Sequence, residues 1–443
     1  MTKISKEVKA DVKSQAQDLL NFIDASPSPW HAVECVAELL KENGFKPLIE
    51  NQPWQFKKNG RYYVVRDGAS IIAFIIGNQA LADTGFRIVG AHTDSPGLRL
   101  KPKAAFSSQG IAQLGVEVYG GPILATFTDR DLSLAGRVIV REGGAHVARH
   151  VQFSSSIVRL PNLAIHMNRE VNDKGLVLNK QTGLPLIFGF AADSAEAQTQ
   201  LTNALAKQLN VAAADIITWD LNVYDTQKGS FWGLNDEFIA NSQLDNLASC
   251  HAAISALLSN KKPDSTSICA LFDHEEVGSE SATGASGSFM SDVITRICAS
   301  TSTSSSTSAE DRLRALANSF FISADMAHAY HPNHASSYEP CHHALVNQGP
   351  VIKTNANQRY STNAETAARF IQLCKSADVP YQQYAHRTDL GCGSTIGPIL
   401  AAQLGIASVD VGNPMWAMHS IRESAGVLDH SYMIAALKAL FNS

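Results

Sequence analysis

From about residue 233 to the C-terminus, strand-like apolar runs alternate with longer helical ones: NLASCHAAISALL, SICALFD, SFFISADM, AETAARFIQLCKSA, GIASVDVG and MIAALKALF. Parallel strands need crossover connections, usually helices, so this alternation predicts an α/β sheet with helices on both faces. The same strand pattern occurs earlier, in RYYVVRD, SIIAFIIG and FRIVGAH. Those runs follow two helical segments. The first contains Leu19, Leu20, Phe22 and Ile23; the second, after the turn ASPSPW, runs from about His31 to Glu42. Between about Leu100 and Trp232 the texture changes. Short β-like runs (VEVYG, ILATFT, GRVIVRE, SSSIVRL, LPLIFGF) alternate with Gly and Pro turns, with one helical patch near Ala195–Gln208. The chain therefore reads as an α/β domain in two parts, 1–99 and 233–443, interrupted by a mostly β insertion over 100–232.

Charge narrows the range of partners. The net charge is -5 and no long basic run occurs, which argues against nucleic acid and anionic membranes. The strongest apolar stretch, Ile71 to Ile76, is far too short to span a bilayer. Seven scattered cysteines form no CxxC pair, and the N-terminal twenty residues read as a polar amphipathic helix instead of a signal peptide. These features favour a reducing compartment, with the cytosol as the expected location. The tract Ala299–Ser308 is low-complexity and expected as a surface loop.

Five segments carry candidate metal ligands. His92-Thr93-Asp94 ends an apolar run, where an imidazole can bind a metal with the carboxylate behind it as an orienting group. Asp245 precedes a helix and suits either an N-cap or a bridging carboxylate. Glu275-Glu276 follows Ile268-Cys269-Ala270-Leu271-Phe272, and adjacent carboxylates leaving a strand point in different directions. One can hold a metal while its neighbour handles protons. Asp325 leaves another apolar run, with His328 and His331 close behind, and His419 follows a strand and a Pro-containing turn. Two histidines and three carboxylates drawn from them make an N,O set that suits a pair of zinc-like ions about 3.5–4 Å apart. A carboxylate to spare is what metal-assisted hydrolysis requires.

Longer motifs carry a resemblance. ASPSPWHAV, GAHTDSPGLRLKP, DRDLSLAGRV, LPNLAIHMNREVN, LNDEFIANSQLDNLASC, DHEEVGSESATGA, SADMAHAYHPNH, GPVIKTNANQRYSTN, RTDLGCGSTIGPI and Met418-His419-Ser420-Ile421-Arg422-Glu423 run in one order along nearly the whole chain. By these the chain resembles the M18 family of metallo-aminopeptidases, and within it the members that act on acidic residues. It departs from the usual pattern at Gly97, at Pro122-Ile123-Leu124-Ala125-Thr126 and in NHASSYEPCHH, none of which is a proposed ligand.

The resemblance implies a central mixed sheet flanked by helices, the phosphorylase/hydrolase-like zinc peptidase fold, interrupted by a β-rich dimerisation domain. It implies that His92, Asp245 and Asp325 hold one metal and that Asp245, Glu276 and His419 hold the other. Asp94 would stand behind His92. Glu275 would be the general base for attack by a water between the metals. His166 would reach the active site of a neighbouring subunit and stabilise the oxyanion. The metals would be zinc, with Mn²⁺ or Co²⁺ tolerated. The substrates would be peptides beginning with Asp or Glu, read by Lys353 with Tyr360 beside it. His331 would line the pocket, and Arg387 is a weaker candidate cation. The assembly would be a homo-oligomer, typically a dodecamer built from dimers. Two alternatives are a neutral-residue aminopeptidase of the same family and a non-catalytic assembly protein that keeps the metal site.

Overall fold

A computed structural model describes residues 10–301 and 309–443. Its centre is a nine-stranded sheet built around Phe86–His92. On one side lie Thr266–Phe272, Ser70–Ile75, Arg61–Arg66 and Lys46–Leu48. On the other lie Phe320–Ala324, Ala407–Gly412, Val351–Thr354 and Gln382–Ala385. The four central strands, 266–272, 86–92, 320–324 and 407–412, are parallel, while the neighbours on both sides of that quartet pair antiparallel. The sheet is mixed, as expected.

Both faces are covered, which is why Thr266–Phe272 is buried at every residue and shows no polar alternation. Cys269 and Leu271 pack into one core with Val89, Ala91, Ile322 and Val409. Ile268, Ala270 and Phe272 pack into a second core with Phe86, Ile88 and Phe321. Helices Ala10–Asp24, Pro29–Glu42, Leu244–Ser259, Ala364–Ser376 and Val427–Phe441 cover the first face. Helices Phe289–Thr301, Ala309–Ala317 and Ile396–Leu404 cover the second. A Cβ on Gly90 would come within 2.7 Å of the Phe321 ring, so the strand there accepts only glycine without repacking.

Between the two parts of this domain runs a six-stranded antiparallel sheet made from residues 97–225. Helix Ser194–Leu209 packs on it, and Asp193 caps that helix by accepting from the Glu196 N–H. This unit has its own core, in which Leu98, Leu114, Leu134, Val138, Leu201 and Leu205 meet; Ile421 joins it from the C-terminal part. Ser230–Trp232 pairs instead with Phe238–Asn241, in a five-stranded sheet that also holds Glu423–Gly426, Pro414–Trp416 and Ala327–His328.

Some local expectations gave way to packing. The run ILATFT is a 3-10 turn over Leu124–Phe127, because the Ile123 N–H is drawn out of any ladder to the His419 carbonyl, at 2.9 Å. SSSIVRL makes only isolated bridges, at Val158 and Arg159. The second helix starts two residues before His31, with Pro29 in its first turn. Residues 299–301 of the Ser/Thr tract finish the helix Phe289–Thr301; residues 302–308 lie outside the described residues, as do residues 1–9 of the expected N-terminal helix. Among the described residues no helix is long and apolar enough to cross a membrane.

Candidate metal centre

The carboxyl ends of adjacent parallel strands open together, and ligands in α/β sheets gather at such edges. His92 is the last residue of its strand and registers with Phe272 on the neighbouring strand. Glu275 and Glu276 follow Phe272 in a short 3-10 turn entered through His274 at φ 64. Asp325 follows the strand Phe320–Ala324 on the other side of His92. A Cβ on Gly412 would fall 1.8 Å from the Asp325 carbonyl, so glycine there lets the Asp325 turn lie against the strand.

Two further residues enter from outside the sheet. Asp245 lies in the first turn of Leu244–Ser259 with non-helical φ/ψ, and the Asp245–Asn246 peptide is cis. Its carboxylate caps nothing; it points into the cluster. His419 stands at φ 68 in the loop between Pro414–Trp416 and Glu423–Gly426.

The side chains converge. His92 Nε2 lies 3.5 Å from Asp245 Oδ1, 3.5 Å from Asp325 Oδ1 and 4.0 Å from Glu275 Oε2. His419 Nε2 lies 3.5 Å from Asp245 Oδ2 and 3.4 Å from Glu276 Oε1. Asp245 thus turns one oxygen to each histidine. These separations exceed a good hydrogen bond. They match donors sharing an ion, since two ligands ~2.0–2.1 Å from a tetrahedral centre lie roughly 3.3 Å from each other. Asp245 Oδ1 is buried and has no hydrogen-bond partner. His92, Asp245 and Glu276 each offer a ligand atom, all within 4.8 Å of one another. Five N,O donors without a thiolate fit zinc or a similar divalent ion.

The surroundings hold these donors in place. His92 Nδ1 lies 3.0 Å from the Asp94 carbonyl and 3.4 Å from its carboxylate, which leaves Nε2 to face the cluster. The Asp94 carboxylate has a second task. It accepts the backbone N–H of Glu275 and of Glu276, each at 3.1 Å, and the Tyr119 hydroxyl at 2.6 Å. Asp94 therefore shapes the very turn that points Glu275 and Glu276 in different directions. Tyr119 belongs to the β-rich insertion, as does Gly121, whose carbonyl lies 3.1 Å from His419 Nδ1. Glu423 accepts the Asp245 N–H at 3.0 Å and the His419 N–H at 2.7 Å. Sequence reading assigned no role to Tyr119, Gly121 or Glu423. The only available signal for Glu423 was its place at the end of the motif that contains His419.

Buried carboxylates without an ion repel ionisation. Burial first, and then Asp325, Asp94 and Asp245, push Glu275 up to about 8, against the pull of His92. Burial pushes Glu276 well above the usual range, with Asp245 next in effect. Burial and Asp245 push Glu423 to about 8. Burial opposes charge on His92 and His419 too, yet their carboxylate neighbours raise both. Raised pKa values mean that the folded state binds more protons than the unfolded one, so stability falls as pH rises through them. Chelated protein is therefore expected to melt at a lower temperature at pH 8 than at pH 6. Zinc added at pH 8 should restore the midpoint. Calorimetry checks both, and a chelated midpoint that rises toward pH 8 would contradict the assignment.

The remaining candidates divide. Lys353, in the strand Val351–Thr354, is only 2% exposed, and its Nζ lies 3.6 Å from Asp325 Oδ2 and 3.1 Å from the Met326 carbonyl. Tyr360 is buried, with its ring 5.0 Å from that ammonium. His331 accepts from the Asn333 N–H and lines an open cleft with His328, Trp416 and His419. Burial first, then Lys353, lowers His328 to about 4, which keeps it neutral. Arg387 is paired with Asp389 at 2.6 Å. His166 lies in an exposed stretch of the insertion, and no hydrogen bond or ion pair among the described residues joins it to the cluster.

A family model described as aminopeptidase I zinc metalloprotease (M18) matches residues 22–441. The chain belongs to the M18 family. It is 46% identical over 429 residues to the probable M18 family aminopeptidase 2 of Stutzerimonas stutzeri (strain A1501), covering 96% of this chain and 98% of that protein. The protein of the same name from Pseudomonas aeruginosa (strain UCBPP-PA14) is also 46% identical over 429 residues, with the same coverage. Among solved structures, the cryo-EM structure of the Ape4 and Nbr1 complex contains a chain that superposes with a TM-score of 0.94 at 38% identity, covering 98% of this chain and 86% of that one. The structure of the S. cerevesiae mApe1 dodecamer matches with a TM-score of 0.85 at 27% identity, covering 97% of each chain. This M18 protein is thus a metallo-aminopeptidase.

Proposed function

We propose that this aminopeptidase binds two divalent ions and removes acidic residues from peptide N-termini. The observation that carries the dinuclear reading is Asp245, with one oxygen toward His92 and the other toward His419. His92, Asp245 and Asp325 would hold one ion; Asp245, Glu276 and His419 would hold the second. Zinc is the favoured occupant, with Mn²⁺ or Co²⁺ acceptable to the same donors. The chemistry supplied by the bound ions is Lewis acidity toward water and the scissile carbonyl. Glu275, pointing to the cluster from the same turn as Glu276, takes the proton of the attacking water and returns it to the leaving amine. Asp94 keeps Glu275 and Glu276 on their separate tasks by holding both backbone N–H groups.

Acidic preference rests on Lys353, a buried ammonium 3.6 Å from Asp325 Oδ2. A substrate carboxylate would draw it from Asp325, with Tyr360 packing behind. The contact with Asp325 also supports a second reading, in which Lys353 only steadies that ligand and the enzyme takes neutral residues. Peptides beginning with Asp, Glu and Leu, assayed with metal-quantified protein, separate the two. Lys353→Met is expected to lower kcat/KM for Asp and Glu peptides ~10–100-fold while Leu peptides change little, the loss of one charge-assisted contact. An unchanged Asp/Leu ratio places the reader elsewhere.

The antiparallel unit is proposed as the dimerisation domain. It exposes Leu163 at 68%, Met167 at 76%, Val177 at 86% and Phe190 at 82%, apolar surface suited to another copy of the chain. The mApe1 relative is a dodecamer, and a dodecamer built from dimers is proposed for this chain. Seven unpaired cysteines suit a reducing, cytosolic setting.

A further inference from the structure

We infer that Glu423 is a positioning residue for the metal centre, setting the distance between Asp245 and His419. One side chain binds the backbones of two proposed ligand residues that come from separate segments. Its two carboxylate oxygens divide the work: Oε2 accepts the Asp245 N–H at 3.0 Å and Oε1 accepts the His419 N–H at 2.7 Å. The residue is 2% exposed, and no lysine or arginine forms an ion pair with it among the described residues. A buried carboxylate is retained against its desolvation only where its bonds are made, and here both bonds go to ligand-bearing backbone.

The fold explains why this residue can do so. Glu423 opens the strand Glu423–Gly426 and registers opposite Asn241. Four residues beyond Asn241 the chain reaches Asp245, and four residues before Glu423 stands His419. One carboxylate thus bonds the backbones of both segments, beside the 3.5 Å approach of His419 Nε2 to Asp245 Oδ2. His419 adopts φ 68, which a non-glycine residue keeps only when neighbouring contacts hold it. The Glu423 bond to its N–H is one such contact, and the Gly121 carbonyl on Nδ1 is another. Among the described residues Glu423 makes no hydrogen bond or ion pair with a ligand side chain, so its effect on the ions runs through the placement of Asp245 and His419. This inference rests on the two-ion reading above.

The test titrates zinc into chelated full-length protein against a competing fluorescent chelator. Wild-type protein that binds fewer than two ions sinks the two-ion reading alone, because Glu423 can still be judged on the ion that remains. Glu423→Gln keeps the size, loses one acceptor and sets an NH₂ against an N–H. It is expected to weaken zinc at the His419 position ~10–100-fold, the usual effect of removing a group that orients a ligand. The absorption bands of the Co²⁺-substituted protein should shift as well. Glu423→Asp keeps the charge and should recover part of the affinity. In a His419→Ala background Glu423→Gln should add little, since the two act on one position. Unchanged zinc affinity and an unchanged cobalt spectrum, even with a lowered melting temperature, would reduce Glu423 to a structural role and overturn the inference. Full additivity with His419→Ala overturns it too. If Glu423→Gln does not fold, Glu423→Asp is read on the same titration, where wild-type affinity counts against the inference.

Discussion

Glu275→Gln is expected to keep its metal and lose ~10²–10⁴-fold in kcat, the usual contribution of a positioned acid–base group. The substitution is nearly isosteric. Glu275 is bound to the rest of the site mainly through its backbone N–H on Asp94, which the change leaves intact. The side chain approaches His92 no closer than 4.0 Å, farther than either Asp245 or Asp325, so its loss should not disturb the ligand set. The proposed ligand of the pair is Glu276, whose Oε1 faces His419 at 3.4 Å. Metal content by atomic absorption and kcat on an Asp-initiated peptide check the assignment together. Near-normal turnover removes Glu275 from the role of base. Lost metal with lost turnover makes it a ligand instead.

His166→Phe is expected to lower kcat ~10²–10³-fold with metal content unchanged, the cost of one donor to a developing oxyanion. The argument is geometric. His166 belongs to the insertion, is exposed and, among the described residues, has no hydrogen bond or ion pair to the cluster of its own chain, while exposed apolar side chains flank it at Leu163 and Met167. A dimer through that surface can carry the partner subunit's His166 toward the cluster. Mixing makes the prediction sharp. In randomised oligomers of His166→Phe and Glu275→Gln chains, half the sites keep Glu275 and half of those receive an intact His166. Activity should then recover to about a quarter of wild type if subunits share sites symmetrically. Activity no greater than the sum of the two parents would show that His166 serves no neighbouring site.

The strand–helix alternation after residue 233 was legible because both faces of a parallel sheet are buried, so each strand reads as a short continuous apolar run. The convergence of the proposed ligands was legible for a related reason. Residues that leave such a strand at its carboxyl end, like His92, Glu276 and Asp325, gather at one edge whatever the loops do. ILATFT was not legible. Its composition suits a strand, but its first amide is taken by His419, almost three hundred residues away, and no local pattern records that. Asp245 shows the boundary between the two cases. Its position before a helix favoured a cap over a ligand on local pattern alone, and only its packing among His92, His419 and Glu423 removes the cap.

The order of residues along this chain was enough for the mixed α/β sheet and for proposing a donor set, since strand periodicity and ligand chemistry are properties of residue type and local spacing. The division of labour inside the site came from packing. Asp94 holds the Glu275–Glu276 turn, the insertion supplies Tyr119 and Gly121 to a centre it does not belong to, Lys353 lies buried against Asp325, and Glu423 joins Asp245 to His419. Each of these contacts links segments whose meeting depends on the closed three-dimensional chain, or on a rotamer chosen within it. Directional bonds of about 3 Å demand placement finer than any periodicity encodes.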